Sequence, residues 1–421
     1  MENAVESWPE PATDRYSNQD QDEQGDPKWQ TRLIRGRDGR PRPIVANAIT
    51  ALRYAPEWAG RLWFDAFRNR TVLCAQPPWA SSIVPHDWGG EDDIRAAAWL
   101  QHAEIAVSPT VAAQAVQVVA GDHRYHPVLN YLSRCQWDGK ARLDTWAVRY
   151  LGAEDTPYVR TVAAKWLISA VARVHVPGCK ADCMLILEGR QGLGKSTALK
   201  TLAQPWFSDE IAALGTKDAA MQVAGVWVVE LAELDSMSRA DVGKVKAFVS
   251  RTTDRFRPPY GHRVIQQPRQ SVFAGSVNHT DYLRDETGAR RFWPLSCTNI
   301  DLTALAHDRD LLWAEAVRRY HRGECWWLDS AELSSQAEQE QRGRYQADAW
   351  QATIEDYVRD KVSVALTEVL GLALHLPLQR WSQREQNRVA RCLKAAGWVR
   401  RQVRAGDGRE WRYFRSATGD W

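Results

Sequence analysis

The stretch Gly189-Arg-Gln-Gly-Leu-Gly-Lys-Ser196 restricts the possible folds of this chain more than any other. It satisfies the pattern G-x-x-x-x-G-K-[ST] at every fixed position. Cys183-Met-Leu-Ile-Leu187 before it is apolar and strand-like, and Thr197-Ala-Leu-Lys-Thr-Leu202 after it continues as a helix. Phosphate binding needs that order. Glycines let the backbone curl until its N–H groups point at phosphate oxygens, and the helix N-terminus adds positive potential. The spacing predicts a nucleotide cradle made by Gly189, Gln191, Gly192, Gly194, Lys195, Ser196 and Thr197. Lys195 reaches the β- and γ-phosphates, and Ser196 ligates Mg²⁺. A chance glycine turn before a helix is the competing reading, and motif and context together outweigh it.

Two later apolar runs end in polar residues. Gly225-Val-Trp-Val-Val-Glu230 reads as a strand closing on a carboxylate, with Glu233 and Asp235 just beyond. Next to a phosphate loop, one such acid holds hydrated Mg²⁺ and a neighbour orients or deprotonates the attacking water. Glu230 and Glu233 are the first choices for those roles and Asp235 the third, against the bland reading of surface acids after a strand. Ser271-Val-Phe-Ala-Gly-Ser-Val-Asn278 is the second run. Asn278 at its tip is a candidate for touching the γ-phosphate or the lytic water, although asparagine there is more often a turn former.

Between these runs, Lys244, Lys246, Phe248, Arg251, Arg255, Arg257, Tyr260, His262 and Arg263 surround a turn at Pro258-Pro259 and Gly261. Basic and aromatic residues around a turn predict a hairpin that carries charge to a nucleic-acid backbone and a ring to a base. A solvated loop is the rival. Arg290 and Arg291 follow Gly288 and suit a finger that enters a neighbouring subunit's site. Their rival role is an internal ion pair with Asp285 or Glu286.

Bulk properties exclude little. A chain of 421 residues suggests two to four domains, and 44% hydrophobic with 25% charged residues is ordinary for a soluble protein. The net charge of +3 means that any basic surface is local. The 21 tryptophans are expected mainly as anchors between packed elements. Seven scattered cysteines show no disulfide framework, which points to a reducing interior. A zinc site on His175, Cys179 and Cys183 is set aside because Cys183 opens the strand into the phosphate loop. No signal sequence or membrane-length apolar run is evident, so the cytoplasm of a bacterial host is expected and no membrane partner.

In chain order, residues 1–28 read as a disordered acidic tail and 29–125 as a helical accessory domain. In the latter, Arg32, Arg35, Arg37, Arg40 and Arg42 surround a turn at Asp38-Gly39. Residues 32–35 and 43–45 suit a hairpin, read as solvated surface in slight preference to a DNA contact, and Asn47 suits the cap of a helix through Tyr54. Residues 126–179 form a helical collar, 180–300 the nucleotide core and 301–360 a helical connector. In 361–421, Ser382 and Glu385 form a capping box for a helix ending at Gly397. Arg384, Arg388 and Arg391 share one face of it, opposite Val389, Cys392, Leu393 and Ala396. A hairpin over 398–415 completes helix, helix, hairpin, the winged-helix plan, whose second helix enters a major groove. Protein contact is the rival use of such a module.

These motifs resemble the virulence-associated E (VapE-type) family, which belongs with the superfamily 3 helicases of phages and mobile elements. The resemblance rests on His126-Pro127, Trp137-Asp-Gly139, Pro177-Gly178, Gly189 to Ser196, Glu230 to Asp235, Lys246-Ala-Phe248, Asp254 to Gly261, Asn278 and Arg284 to Pro294. It implies an α/β P-loop core of the AAA+-like, superfamily 3 type, with a helical N-terminal region and a C-terminal winged helix. It further implies ATP and Mg²⁺, assembly as a ring, commonly a hexamer, and ATP-dependent DNA unwinding in replication initiation. Lys195 and Ser196 carry over as phosphate and Mg²⁺ groups, Glu230 and Glu233 as the acidic pair, and Asn278 as sensor. Arg290 or Arg291 carries over as the finger acting in trans, and Lys246 through Arg263 as the DNA-facing hairpin. Residues 1–125 are too short for the complete primase domain of many relatives and lack its paired carboxylates, so priming is not expected. The rival functions are an ATP-switched DNA loader or regulator that never unwinds, and a scaffold that interferes with a competing phage.

Overall fold

The structure is a computed structural model that describes residues 25–79, 84–212, 214–232, 239–257, 264–279, 282, 289–344, 349–405 and 408–415. The chain divides into two compact units, Met1–Arg344 and Tyr345–Trp421.

The first unit begins with a 3₁₀ turn (Trp29–Arg32) and helix α1 (Val45–Tyr54). The loop between them has only one ladder bridge, Arg35 with Pro41, in place of the expected hairpin. Its backbone groups need other partners, and Asn47 supplies them. This side chain does not cap α1 but lies within it, fully buried. Its Oδ1 accepts the Ile34 N–H at 2.8 Å, and its Nδ2 donates to the carbonyls of Ile34 at 2.8 Å and Arg42 at 2.9 Å.

The region expected to be helical is an α/β layer. Strands β1 (Leu62–Asp65), β2 (Arg70–Leu73), β3 (His86–Asp87) and β4 (Arg124–Tyr125) form a mixed sheet in the order β3-β2-β1-β4. Helices α2 (Gly90–His102) and α3 (Pro109–Asp122) pack with α1 over a core that includes Leu52, Trp58, Leu100 and Val116. Strands of two to four residues are too short to show alternation, and the helical period of α2 and α3 dominates the local sequence.

Helices α4 (Pro127–Arg134), α5 (Trp146–Leu151) and α6 (Pro157–His175) follow. The His126 ring starts α4. Its Nδ1 accepts the Leu129 N–H at 3.2 Å, so the neutral ring carries its proton on Nε2, which faces Gln270 Oε1 at 2.6 Å. Burial holds this histidine below its usual pKa, which favours that neutral form.

The central sheet contains β5 (Met184–Glu188), β6 (Phe207–Ser208), β7 (Val228–Leu231), β10 (Val272–Val277) and β11 (Phe292–Ser296), with α7 (Lys195–Ala203), α8 (Lys217–Gln222) and α9 (Arg239–Val249) in the connections. Its order is β11-β5-β10-β7-β6, and every pairing is parallel. Such a sheet must be covered on both faces. In β5, Leu185 and Leu187 enter one core with α6, α7 and α10 (Leu302–His321), while Met184 and Ile186 enter the other with α9. Tryptophan indoles lock the layers. Trp166 donates to the Phe273 carbonyl at 2.8 Å, Trp227 to Ala170 at 2.9 Å and Trp313 to Leu202 at 2.9 Å. Helix α11 (Ala331–Gly343) closes the unit against β11, with Gln341 donating to the Phe292 carbonyl at 2.9 Å.

Ahead of β10, strands β8 (Thr253–Phe256) and β9 (Ile265–Pro268) form the antiparallel stem of a hairpin. Its tip, with Tyr260, His262 and Arg263, lies outside the described residues. The stem alternates: Thr253 and Arg255 are exposed, while Asp254 and Phe256 are buried. Asp254 receives a bidentate pair from the buried Arg269, at 2.8 Å from Nε and 2.6 Å from Nη2.

In the second unit, α12 (Gln351–Val358), β12 (Ser363–Val364) and α13 (Leu366–Glu368) lead through a π turn (Val369–Ala373) to α14 (Gln383–Ala395), β13 (Trp398–Ala405) and β14 (Gly408–Arg415). The sheet order is β12-β14-β13, and Ile354, Leu370, Val389, Leu393 and Trp398 share its core. Ser382 caps α14 by accepting the Arg384 N–H at 3.2 Å.

Among the described residues, no helix is long and apolar enough to cross a membrane. Removing one partner of a buried ion pair leaves the other uncompensated, so Asp254→Ala should destabilise the chain by about 3–5 kcal/mol. Denaturant unfolding checks this, and an unmoved midpoint would show that the pair does not hold the stem.

Candidate active site

Parallel strands present their C-terminal ends along one edge, where ligands bind in open α/β sheets. Val277 of β10 pairs with Glu188 of β5, so Asn278 and Gly189 emerge side by side. Glu230 of β7 pairs with Ala274 on the other side of β10. The expected strand, turn and helix are present as β5, residues 189–194 and α7.

The turn needs its first glycine. Gly189 has φ of +152°, and a Cβ there would sit 2.7 Å from the Cys297 carbonyl oxygen and 2.9 Å from Leu193. Gly194, with φ of +95°, is the N-cap of α7 and contributes no side-chain hydrogen bond to the first turn. The N–H groups of that turn therefore face the loop without a side-chain cap, the arrangement that suits an anion.

Lys195 is buried and bent back under the loop. Its Nζ donates to the carbonyls of Gly189 at 2.6 Å and Arg190 at 3.0 Å, and to Asn278 Oδ1 at 3.2 Å. Asn278 and Lys195 are thus in direct contact although 83 positions apart. Ser196 Oγ donates to Glu230 Oε1 at 2.8 Å. Glu230 is fully buried, and among the described residues its Oε2 has no hydrogen-bond partner. An unsatisfied buried carboxylate oxygen is costly, and a cation would satisfy it. Hydroxyl and carboxylate are hard oxygen donors, and Mg²⁺ takes few protein ligands, completing its octahedron with water and phosphate. The pair therefore fits that ion. Glu233, with Asp235, lies outside the described residues.

A second carboxylate under the loop is absent from the sequence reading. Glu188, the last residue of β5, is 1% exposed. Arg344 Nε meets its Oε1 at 2.5 Å, and Ser296 Oγ donates to its Oε2 at 2.8 Å. Its position directly before Gly189 was the available signal, because a strand ending in glutamate there must bring a counter-ion. Beside it, burial pushes the Cys297 thiol up to about 12, so this cysteine is a neutral packing group.

The remaining candidates lie elsewhere. Phe292 pairs with Met184, so Arg290 and Arg291 precede the N-terminal edge of the sheet, opposite residues 189–194. A strand of five residues at about 3.3 Å each separates the two edges by about 15 Å. Arg291 bonds Ser250 Oγ at 2.7 Å and pairs with Asp182 at 3.5 Å, whereas Arg290 is exposed. Arg255 and Arg257 are exposed at the hairpin stem. Lys246 is not a surface group: it is 8% exposed, with Nζ over the Phe292 ring at 5.8 Å. In the second unit, Arg384 and Arg391 are exposed on α14, and Arg388 stacks on Trp350 at 3.8 Å.

Residues 132–346, just over half of the chain, match the family described as the virulence-associated protein E-like domain. No curated protein matches the chain. Among solved structures, the apo structure of the NrS-1 C-terminal region is similar at a TM-score of 0.43 and 11% identity, over 84% of this chain and 95% of that one. An A-form apo structure of the same region gives 0.42 and 11%, over 85% and 96%.

Gly189→Ala should cost about 1–3 kcal/mol through overpacking against the Cys297 carbonyl. Gly192→Ala, which meets nothing within 4 Å, should cost only the backbone penalty of about 1 kcal/mol. Equal losses in paired melting curves would mean that close approach does not fix the loop.

Proposed function

Because the chain belongs to the virulence-associated protein E-like domain family, we propose that it is an ATP-driven DNA helicase for replication initiation of a phage or mobile element. In this reading the central sheet is a P-loop core of the AAA+-like, superfamily 3 type. The second unit is a winged helix, and copies assemble as a hexameric ring with ATP and Mg²⁺ at each seam. One observation carries the proposal: Lys195, Ser196, Glu230 and Asn278 converge on the sheet edge where Gly189 to Gly194 turn.

Each group then has a task. The Lys195 ammonium exchanges loop carbonyls for β- and γ-phosphate oxygens, and the uncapped N–H groups of α7 hold the same phosphates. Ser196 and Glu230 would hold Mg²⁺, which would supply positive charge to offset the negative charge that develops on the phosphates. Asn278, at 3.2 Å from Lys195 Nζ, positions the attacking water, with Glu233 as base. Arg290 or Arg291 lies too far from its own loop and acts on the neighbour's γ-phosphate. Hydrolysis moves the stem bearing Arg255 and Arg257, with Tyr260, His262 and Arg263, along one DNA strand.

Lys195→Ala should abolish DNA-stimulated ATP hydrolysis and separation of a forked duplex. Retained full turnover would refute the site. Hydrolysis by the parent protein that leaves the fork intact would instead identify an ATP-switched loader.

A further inference from the structure

We infer that the arginine-rich loop of residues 34–42 is a second DNA-backbone site, separate from the hairpin and outside the residues matched by the family. Arg35, Arg37, Arg40 and Arg42 are all exposed. No ion pair among the described residues engages any of them. Arg35 is held by the loop itself, donating to the Gly39 carbonyl at 2.8 Å, which leaves Arg37, Arg40 and Arg42 directed outward. The only acid in the loop is Asp38. Its Oδ1 accepts the Arg40 N–H at 3.1 Å and thereby shapes the turn.

The loop is built rather than loose. Buried Asn47 ties both of its arms, through Ile34 and Arg42. Gly36 donates to the Arg40 carbonyl at 2.8 Å, and Arg42 donates to that of Ile34 at 2.9 Å. Leu33 and Pro41 are buried as anchors, and Arg40 and Arg42 flank Pro41 on the exposed side. In an extended segment, residues two apart share a face. Clustered like charges repel one another, and a fixed backbone prevents them from spreading apart. A ligand bearing regularly repeated anions removes that cost.

The chemistry selects a phosphodiester backbone. Guanidinium groups match phosphate oxygens bidentately. Protein interfaces centre on buried aromatic or aliphatic anchors, whereas the only large apolar side chain exposed in this loop is Ile34. The inference does not depend on hydrolysis at the phosphate loop.

The test uses the full chain carrying Arg37→Ala, Arg40→Ala and Arg42→Ala, substitutions at exposed positions. Fluorescence anisotropy follows binding to short single-stranded and duplex DNA over a salt series, with Arg255→Ala plus Arg257→Ala in parallel and polyglutamate as an acidic-polypeptide control. The expected result is that the triple variant binds duplex DNA more weakly, with a log–log salt slope shallower by about 2–3, because each lost phosphate contact removes about 0.9. Its hydrolysis rate without DNA should equal the parent's. A larger effect on one DNA form identifies the form held there. Parental affinity and slope on both DNA forms would overturn the inference, as would a loss confined to polyglutamate. A defect only in the hairpin variant would also overturn it while leaving the hairpin reading intact.

Discussion

A buried carboxylate with one oxygen bonded and the other unpartnered sets the terms for this molecule. Glu230 is fully enclosed, yet among the described residues only Ser196 bonds its carboxylate. A buried polar oxygen left unsatisfied is costly, so such a group persists where something else repays it. The fold places it deliberately far from convenience: on β7, separated from β5 by an inserted β10, and still within hydrogen-bond reach of the first turn of α7. The inserted strand also brings the Asn278 amide to Lys195. Strand order, buried acid and bent-back lysine are therefore one arrangement.

The rest of the first unit keeps that edge rigid. Indole donors from Trp166, Trp227 and Trp313 tie α6, the sheet, α7 and α10 to one another through hydrogen bonds to backbone carbonyls. The Glu188–Arg344 pair ties the strand end before Gly189 to the end of α11. The opposite edge is anchored too, by Arg269 on Asp254 and by Arg173, whose Nη2 donates to the Ala181 carbonyl at 3.0 Å. Burial lowers the Arg173 guanidinium to about 10. Arg290 and Arg291 lie at the edge opposite residues 189–194, which is why the proposed reaction is completed between copies rather than within one.

The strand, glycine turn and helix around Gly189 to Gly194 were legible because the whole unit is local in sequence. Glu230, one position before the end of β7 at Leu231, and Asn278, just past β10, were legible because apolar runs in a parallel sheet stop near its C-terminal edge. What joins them was not: a contact between Lys195 and Asn278 depends on strand order, which no local pattern encodes. The N-terminal sheet escaped notice because its strands are shorter than the window that reveals a period of two. Asn47 looked like a cap because asparagine near a helix start usually is one; its burial depends on a loop thirteen residues away. Lys246 is buried rather than DNA-facing, and the helical period already places it on one face with Val242, Val245 and Val249, all buried.

The seam is the central claim, and complementation between inactive copies tests it most directly. Copies carrying Lys195→Ala keep both arginines, and copies carrying Arg290→Ala with Arg291→Ala keep the phosphate loop. Each should hydrolyse little ATP alone, the second losing on the order of 10³-fold if a trans arginine acts as in GTPases. Mixed together before assembly, they should recover hydrolysis that neither shows, because some seams then join an intact loop to an intact arginine. A mixture no more active than the sum of its parents, or a double-arginine variant as active as the parent protein, would contradict the account.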